Sequence, residues 1–244
     1  MKIMLCGKGG CGKSTISALM AKEYERRGRR VLVVDMDESN FGLYRQLGTE
    51  LPKDLTLFFG SKKGVFNSID TQGYAFEEMT VDQLPEDYVS VNGNITLAAV
   101  GKIHDAGEGC ACPMGAVARE FIAAIRQEEG DVLIADTEAG VEHFGRGVDA
   151  KADIILMVAD PSYESIQLAG KVGHMAEQMG KPVYYILNKV NPQKEEVLRK
   201  AIQGEVIGAV PEDEEIQMQG MLGMPLDARL EVIGRICDFL EREV

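Results

Sequence analysis

The stretch Gly7-Lys-Gly-Gly-Cys-Gly-Lys-Ser14 places glycines at 7, 9, 10 and 12 directly before a lysine and a hydroxyl. Glycines at that density let a backbone curl until its N–H groups point inward, which is how a chain cradles phosphate oxygens at the start of a helix. In this pattern Gly7, Gly9, Gly10, Cys11 and Gly12 form the cradle and Lys13 reaches the terminal phosphates. Ser14, with Thr15 beside it among the nucleotide contacts, offers a hydroxyl to Mg2+. Mg2+ in that place bridges the β- and γ-oxygens and neutralises charge as the bond to phosphorus breaks. The chemistry expected of these residues is binding and hydrolysis of a nucleoside triphosphate.

A second constellation is Cys110-Ala-Cys112, inside the glycine- and proline-containing run from Gly107 to Met114. Soft thiolates bind late transition metals. One Cys-x-Cys pair supplies two ligands where a closed shell such as that of Zn2+ wants four, so two such loops meeting across a two-fold axis would complete a site. Two nearby cysteines without any function remain the plainer reading of the spacing alone.

A phosphate loop needs a strand before it and a helix after it. The apolar run Lys2 to Cys6 and the helical spacing from Ser14 to Arg27 supply them, and Val31 to Asp35 reads as the next strand. Further apolar runs reading as buried parallel strands are Ile95 to Val100, Val132 to Asp136, Ile154 to Ala159, Val183 to Asn188 and Glu205 to Val210. Helical segments lie at Ala116 to Gln127, Tyr163 to Met179, Pro192 to Ile202 and Leu226 to Glu243. Alternating strands and helices predict an α/β fold: three layers, a mostly parallel central sheet and helices on both faces, with ligands at the carboxyl ends of the strands. A single domain over residues 1–244 is expected. The mixed segment 42–94 is either a variable insertion carrying partner contacts or a helix and loops completing that domain.

The bulk properties narrow the classes. Apolar residues make up 45% and charged residues 27%, enough for a packed core. The net charge of -13 works against nucleic acid, whose affinity comes from cations neutralising phosphates. No secretion signal and no bilayer-length apolar run is found, so a cytoplasmic protein without a membrane partner is expected. Five cysteines, an odd number, do not suggest a disulfide framework.

The string Gly7-Lys-Gly-Gly-x-Gly-Lys-Ser14 resembles the deviant P-loop of the MinD, ParA and nitrogenase iron protein class. The resemblance implies that Lys8 crosses to a second subunit and contacts its nucleotide, in a homodimer with ATP sandwiched between subunits. In Val31-Leu-Val-Val-Asp-Met-Asp37 it implies a first switch, with Asp37 orienting the attacking water and Asp35 supporting Mg2+ and its waters. In Val132-Leu-Ile-Ala-Asp136-Thr-Glu-Ala-Gly140 it implies a second switch, in which Asp136 holds a metal-bound water and Gly140 senses the γ-phosphate. Ile186-Leu-Asn188-Lys-Val-Asn191 is similar to the base-reading element of guanine-binding relatives, but Asn191 stands where those have an aspartate. That favours ATP, with Asn188 bonding the adenine and Val210, Pro211 and Glu212 beside the ring.

With the cysteine pair, the chain resembles more narrowly the CooC family of nickel-handling ATPases and the similar maturase of acetyl-CoA synthase. The residues that carry this are Gly7 to Ser14, Val33-Val-Asp35-Met-Asp37, Cys110-Ala-Cys112, Asp136 to His143 with Arg146-Gly147, and Asn188-Lys-Val190. The resemblance implies one Ni2+ per dimer between Cys110 and Cys112 of both subunits; thiolate sites also bind Zn2+, the expected substitute metal. ATP hydrolysis would then deliver the metal to a nickel-iron-sulfur client enzyme such as carbon monoxide dehydrogenase. Cys11 departs from the family, which mostly has Val or Ile there; it is either a tolerated small residue or an extra contact near the nucleotide. Cys6 and Cys237 read as packing residues. His143 is either a structural group or an aid to metal transfer, and His104 is a weaker candidate. An iron-sulfur cluster carrier and a MinD/ParA-like ATP-driven dimer switch are the alternatives; the mixed charge of the C-terminal helix argues against a membrane anchor.

Overall fold

A computed structural model describes residues 1–58, 76–103, 112–141, 144, 147 and 151–243. Its centre is an eight-stranded sheet in the order β3-β4-β2-β5-β1-β6-β7-β8. The strands are β1 (Lys2–Gly7), β2 (Val31–Asp35), β3 (Ser90–Asn92), β4 (Ile95–Ala99), β5 (Val132–Asp136), β6 (Ile154–Ala159), β7 (Val183–Val190) and β8 (Val206–Pro211). All pairings are parallel except that of β3 with β4. The helices are α1 (Lys13–Arg26), α2 (Leu43–Leu47), α3 (Leu55–Phe58), α4 (Cys112–Ala124), α5 (Tyr163–Met179), α6 (Pro192–Ala201), α7 (Glu214–Leu222) and α8 (Glu231–Glu243).

The three layers follow from the two-residue period of the strands. Ile3 and Leu5 of β1, Val31 and Val33 of β2, and Ile154, Leu156 and Val158 of β6 point to one face. There they meet Ile16, Leu19 and Met20 of α1, Leu43 and Leu47 of α2, and Ile233, Ile236 and Leu240 of α8. The alternate residues point the other way: Met4, Leu32, Val34 and Leu133 pack under Val117, Phe121 and Ile122 of α4. Farther along the same face, Cys6, Ile155 and Met157 pack under Ala169, Val172 and Ala176 of α5 and Leu198 of α6. Burying each large side chain stabilises the fold by about 1.5–3 kcal/mol, so two covered faces hold the sheet as a rigid platform.

Three expectations need correction. The antiparallel edge strand β3, within the 42–94 segment, is not among the expected strands; three residues are too few to show a period. The helix expected at 116–127 begins earlier, at Cys112, so this cysteine opens a helix. The terminal helix begins at Glu231, after a separate α7; Leu226 is instead buried in an irregular stretch, its N–H donating to the Gln46 carbonyl at 2.9 Å.

β1 lies between β5 and β6; the chain runs from β1 to β2 on one side and later crosses from β5 over β1 to β6 on the other. A ligand crevice forms at the carboxyl end of such a strand, and that is where residues 7–14 lie.

Candidate functional site

The loop between β1 and α1 takes its shape from its glycines. Gly10 and Gly12 have φ of 77° and 98°, left-handed values that other residues adopt only at a cost. At Gly12 a side chain would also collide with the Asn188 amide. No side chain caps α1 there, so its first-turn N–H groups face the crevice as anion donors. The Lys13 ammonium reaches back to the Gly7 and Lys8 carbonyls at 3.3 and 3.4 Å.

Ser14 sits between two elements. Its Oγ donates to Asp136 Oδ2 at 2.6 Å and accepts from Asn40 Nδ2 at 2.6 Å. Asp136 Oδ1 accepts from Ser17 Oγ at 3.0 Å. Asp136 is fully buried; burial pushes its carboxyl above the usual range, against the pull of the Ser14 and Ser17 hydroxyls and the Lys13 charge. A hydroxyl and a carboxylate are hard oxygen donors of the kind Mg2+ takes, so Ser14 and Asp136 fit that ion.

Asp35 has a different partner from the one expected. Its carboxylate receives the Lys102 ammonium at 2.7 Å, with both side chains fully buried. Burial pushes the Asp35 carboxyl up to about 7, with Lys102 opposing that rise. The arrangement makes Asp35 one half of a buried ion pair. Asp37 lines the crevice, but its Oδ1 is taken by the Ser39 N–H at 3.0 Å and the Ser39 hydroxyl at 2.6 Å.

Lys8 lies 3.4 Å from Asp160 of its own chain. Burial would raise the Asp160 carboxyl, but the Ser162 and Ser165 hydroxyls and the Lys8 ammonium outweigh it and hold the group below the usual carboxylate range.

A crevice of about 600 Å³ brings together Gly9, Gly10, Gly12, Lys13, Ser14, Thr15, Asp37, Asn188 and Pro211. Asn188 Nδ2 donates to the Cys11 carbonyl at 2.8 Å, and Lys189 Nζ donates to the Gly10 carbonyl at 2.8 Å. Lys189 is the single non-glycine residue at positive φ, 58°, among the described residues. Asn191 does not line the crevice; its side chain accepts from the Lys194 N–H at 2.9 Å and caps α6. Cys11 contributes backbone only: its thiol is fully buried in the core, and burial pushes it up to about 11.

Sequence reading misses Asn40, Lys102, Asp160, Gln46 and Lys189. Lys189 stands inside the Asn188-Lys-Val string, and Asn40 follows the first-switch acids by three positions, so both carried a local signal. Lys102 carried none, because its partners come from other segments. Cys110, His104, His143 and Arg146 lie outside the described residues; among the described residues no group of three or more potential metal ligands occurs. No described helix is long and apolar enough to cross a membrane.

Residues 3–226 match the family model described as the CobQ/CobB/MinD/ParA nucleotide binding domain. The chain is 45% identical over 249 residues to an uncharacterized ATP-binding protein of Methanocaldococcus jannaschii, covering 99% of this chain and 100% of that one. It is 32% identical over 234 residues to the carbon monoxide dehydrogenase accessory protein CooC of Rhodospirillum rubrum, covering 92% and 88%. Among solved structures, the septum site-determining protein MinD of Pyrococcus horikoshii complexed with Mg-ADP superposes with a TM-score of 0.70 at 17% identity, over 99% of this chain and 96% of that one. At that identity the likeness is one of fold.

Proposed function

This chain belongs to the CobQ/CobB/MinD/ParA nucleotide-binding family, and from that premise we propose that it is an ATP-hydrolysing metallochaperone. It binds nickel through Cys110 and Cys112 at a homodimer interface and delivers it to a nickel-iron-sulfur client enzyme. The observation that carries the reading is that Lys13, Ser14 and Asp37 line one crevice at the end of β1, with Asp136 buried behind Ser14 and bonded to its hydroxyl. The choice of nickel is supported by the Cys-x-Cys pair together with the similarity to CooC across most of the chain.

In this reading the glycine-loop amides and Lys13 bind the phosphates of ATP, and Asn188 and Pro211 border its base. Ser14 and Asp136 hold Mg2+, which when bound offsets the charge on the phosphates. Asp37 turns from Ser39 to orient the attacking water. Lys8 leaves Asp160 to reach the nucleotide of the partner subunit. The alternative is an ATP-driven dimer switch without metal; one form of it, membrane cycling through the last described helix, is opposed by α8, whose apolar residues Ile233, Ile236, Cys237 and Leu240 are buried in the core.

The test is equilibrium Ni2+ binding to the reduced protein, with and without ATP and Mg2+, for the wild type and Cys110→Ser/Cys112→Ser, with oligomeric mass read alongside. One nickel per dimer, lost in the double variant, is the expected result. Binding that the double variant keeps, or none in the wild type, removes the metal and leaves the ATP-driven switch.

A further inference from the structure

Lys102 is fully buried, yet no part of the chemistry above uses it. Its backbone N–H donates to Asp54 Oδ2 at 3.0 Å, and Asp54 is itself buried. Its ammonium donates to Asp35 Oδ2 at 2.7 Å and also to the backbone carbonyls of Asp37 and Asn40. An ammonium has three donors and no acceptor, and here all three are taken. The charge also stands 5.7 Å from the centre of the Phe41 ring.

These contacts define the turn that bears the first switch. The ammonium gathers one side-chain oxygen at the end of β2 and two carbonyls of the following loop onto one point. The segment before and after Lys102 runs alongside that loop: the Val100 N–H donates to the Asp35 carbonyl at 2.9 Å and the Ile103 N–H to the Glu38 carbonyl at 3.0 Å. Held this way, Asn40 presents its amide to Ser14 Oγ at 2.6 Å, and Ser14 meets Asp136. A continuous series of bonds therefore leads from Lys102 through Asn40 to the hydroxyl and carboxylate that suit Mg2+. A buried lysine costs free energy to desolvate, and here every donor of the ammonium is spent on fixing this turn.

We propose that Lys102 is a positioning residue of the nucleotide site: its ammonium fixes the 37–40 loop so that Asn40 orders Ser14 for Mg2+ and Asp37 stands at the crevice. The proposal rests on the ATP-hydrolysing reading given above. It deepens that reading by assigning control of the Mg2+ donors to a buried residue that does not line the crevice.

Lys102→Met alone leaves Asp35 as an uncompensated buried acid and could prevent folding, so the informative variant is Lys102→Met/Asp35→Asn, compared with Asp35→Asn alone. That comparison isolates the bonds from the ammonium to the loop carbonyls. Binding of a fluorescent ATP analogue is titrated with Mg2+, and kcat and KM are measured on the same preparations. Expected is an analogue affinity without Mg2+ close to that of Asp35→Asn, a Mg2+ half-saturation raised about tenfold, and kcat reduced about tenfold or more with KM little changed, the pattern of lost positioning. Asn40→Ala, which leaves the buried pair intact, is expected to shift Mg2+ half-saturation in the same direction. Adding it to the double variant should have little further effect, since the two act through one series of bonds. Unchanged Mg2+ dependence in Lys102→Met/Asp35→Asn overturns the proposal, and so do fully additive effects. If the double variant does not fold, an unchanged Mg2+ dependence in Asn40→Ala overturns it and a shift upholds it. If the wild type binds the analogue but hydrolyses no ATP, the hydrolytic reading fails, while the Mg2+ titration still decides the role of Lys102.

Discussion

Asp35 and Asp136 are register partners across β2 and β5, side by side at the carboxyl ends of their strands, yet their charges are met by different means. Lys102 compensates Asp35 in full burial, whereas Asp136 has two serine hydroxyls and the Lys13 charge. Two adjacent acids thus differ in partner: one is tied to a buried ammonium, and the other accepts from the hydroxyls of Ser14 and Ser17 on α1.

The pH dependence of stability follows from that pairing. In the unfolded chain Asp35 ionises near 3.8, and in the folded chain near 7. Between these values the folded state binds the extra proton, so stability falls as pH rises through this window and levels off above it. Chemical denaturation at steps from pH 4.5 to 8 should show this decline in the wild type and a flatter profile in Asp35→Asn. Parallel profiles would show that Asp35 does not titrate in this range.

Gly12→Ala combines a left-handed backbone with a collision against Asn188. It should lower stability by about 1–3 kcal/mol and abolish binding of a fluorescent ATP analogue, because Asn188 must leave the Cys11 carbonyl. Wild-type affinity in a folded Gly12→Ala protein would mean that the loop is far more adaptable than its hydrogen bonds indicate.

Asn191 caps α6 and stays out of the crevice. Asn191→Ala should therefore cost about 1 kcal/mol of stability while leaving the preference for ATP over GTP as it is. Competition binding with both nucleotides, beside a thermal melt, checks the two halves separately; a changed base preference would restore Asn191 as a base-reading residue.

Cysteine reactivity should sort by burial. Cys6, Cys11 and Cys237 are buried, and burial pushes the Cys11 thiol up to about 11 and the Cys237 thiol up to about 12. Thiolates are then scarce at pH 8. Alkylation of the native protein followed by peptide mass analysis should leave these three unlabelled until denaturant is added. Labelling of native Cys11 would reopen its reading as a contact near the nucleotide.

The phosphate loop was legible because its shape depends on local backbone freedom: glycines at fixed offsets after an apolar run dictate the curl whatever surrounds it. Seven of the eight strands were legible for a related reason, since both faces of a parallel sheet are covered and each strand reads as continuous apolar sequence. β3 is short and lies at the edge, so neither burial nor alternation marks it. The aspartates could be placed at strand ends but not given their partners. Asp35 and Asp136 look alike in sequence, and what separates them is Lys102, which arrives from β4. Asn191 shows the same limit: a helix cap and a base-reading residue share one side-chain chemistry, and only the direction of its oxygen distinguishes them.

The Gly7 carbonyl accepts two donors, the Lys13 ammonium and the amide of Gly140, the latter at 3.1 Å. A carbonyl oxygen has two lone pairs, so both bonds are held at once. The phosphate loop and the loop after β5 are thus tied together through a single shared oxygen rather than through the sheet.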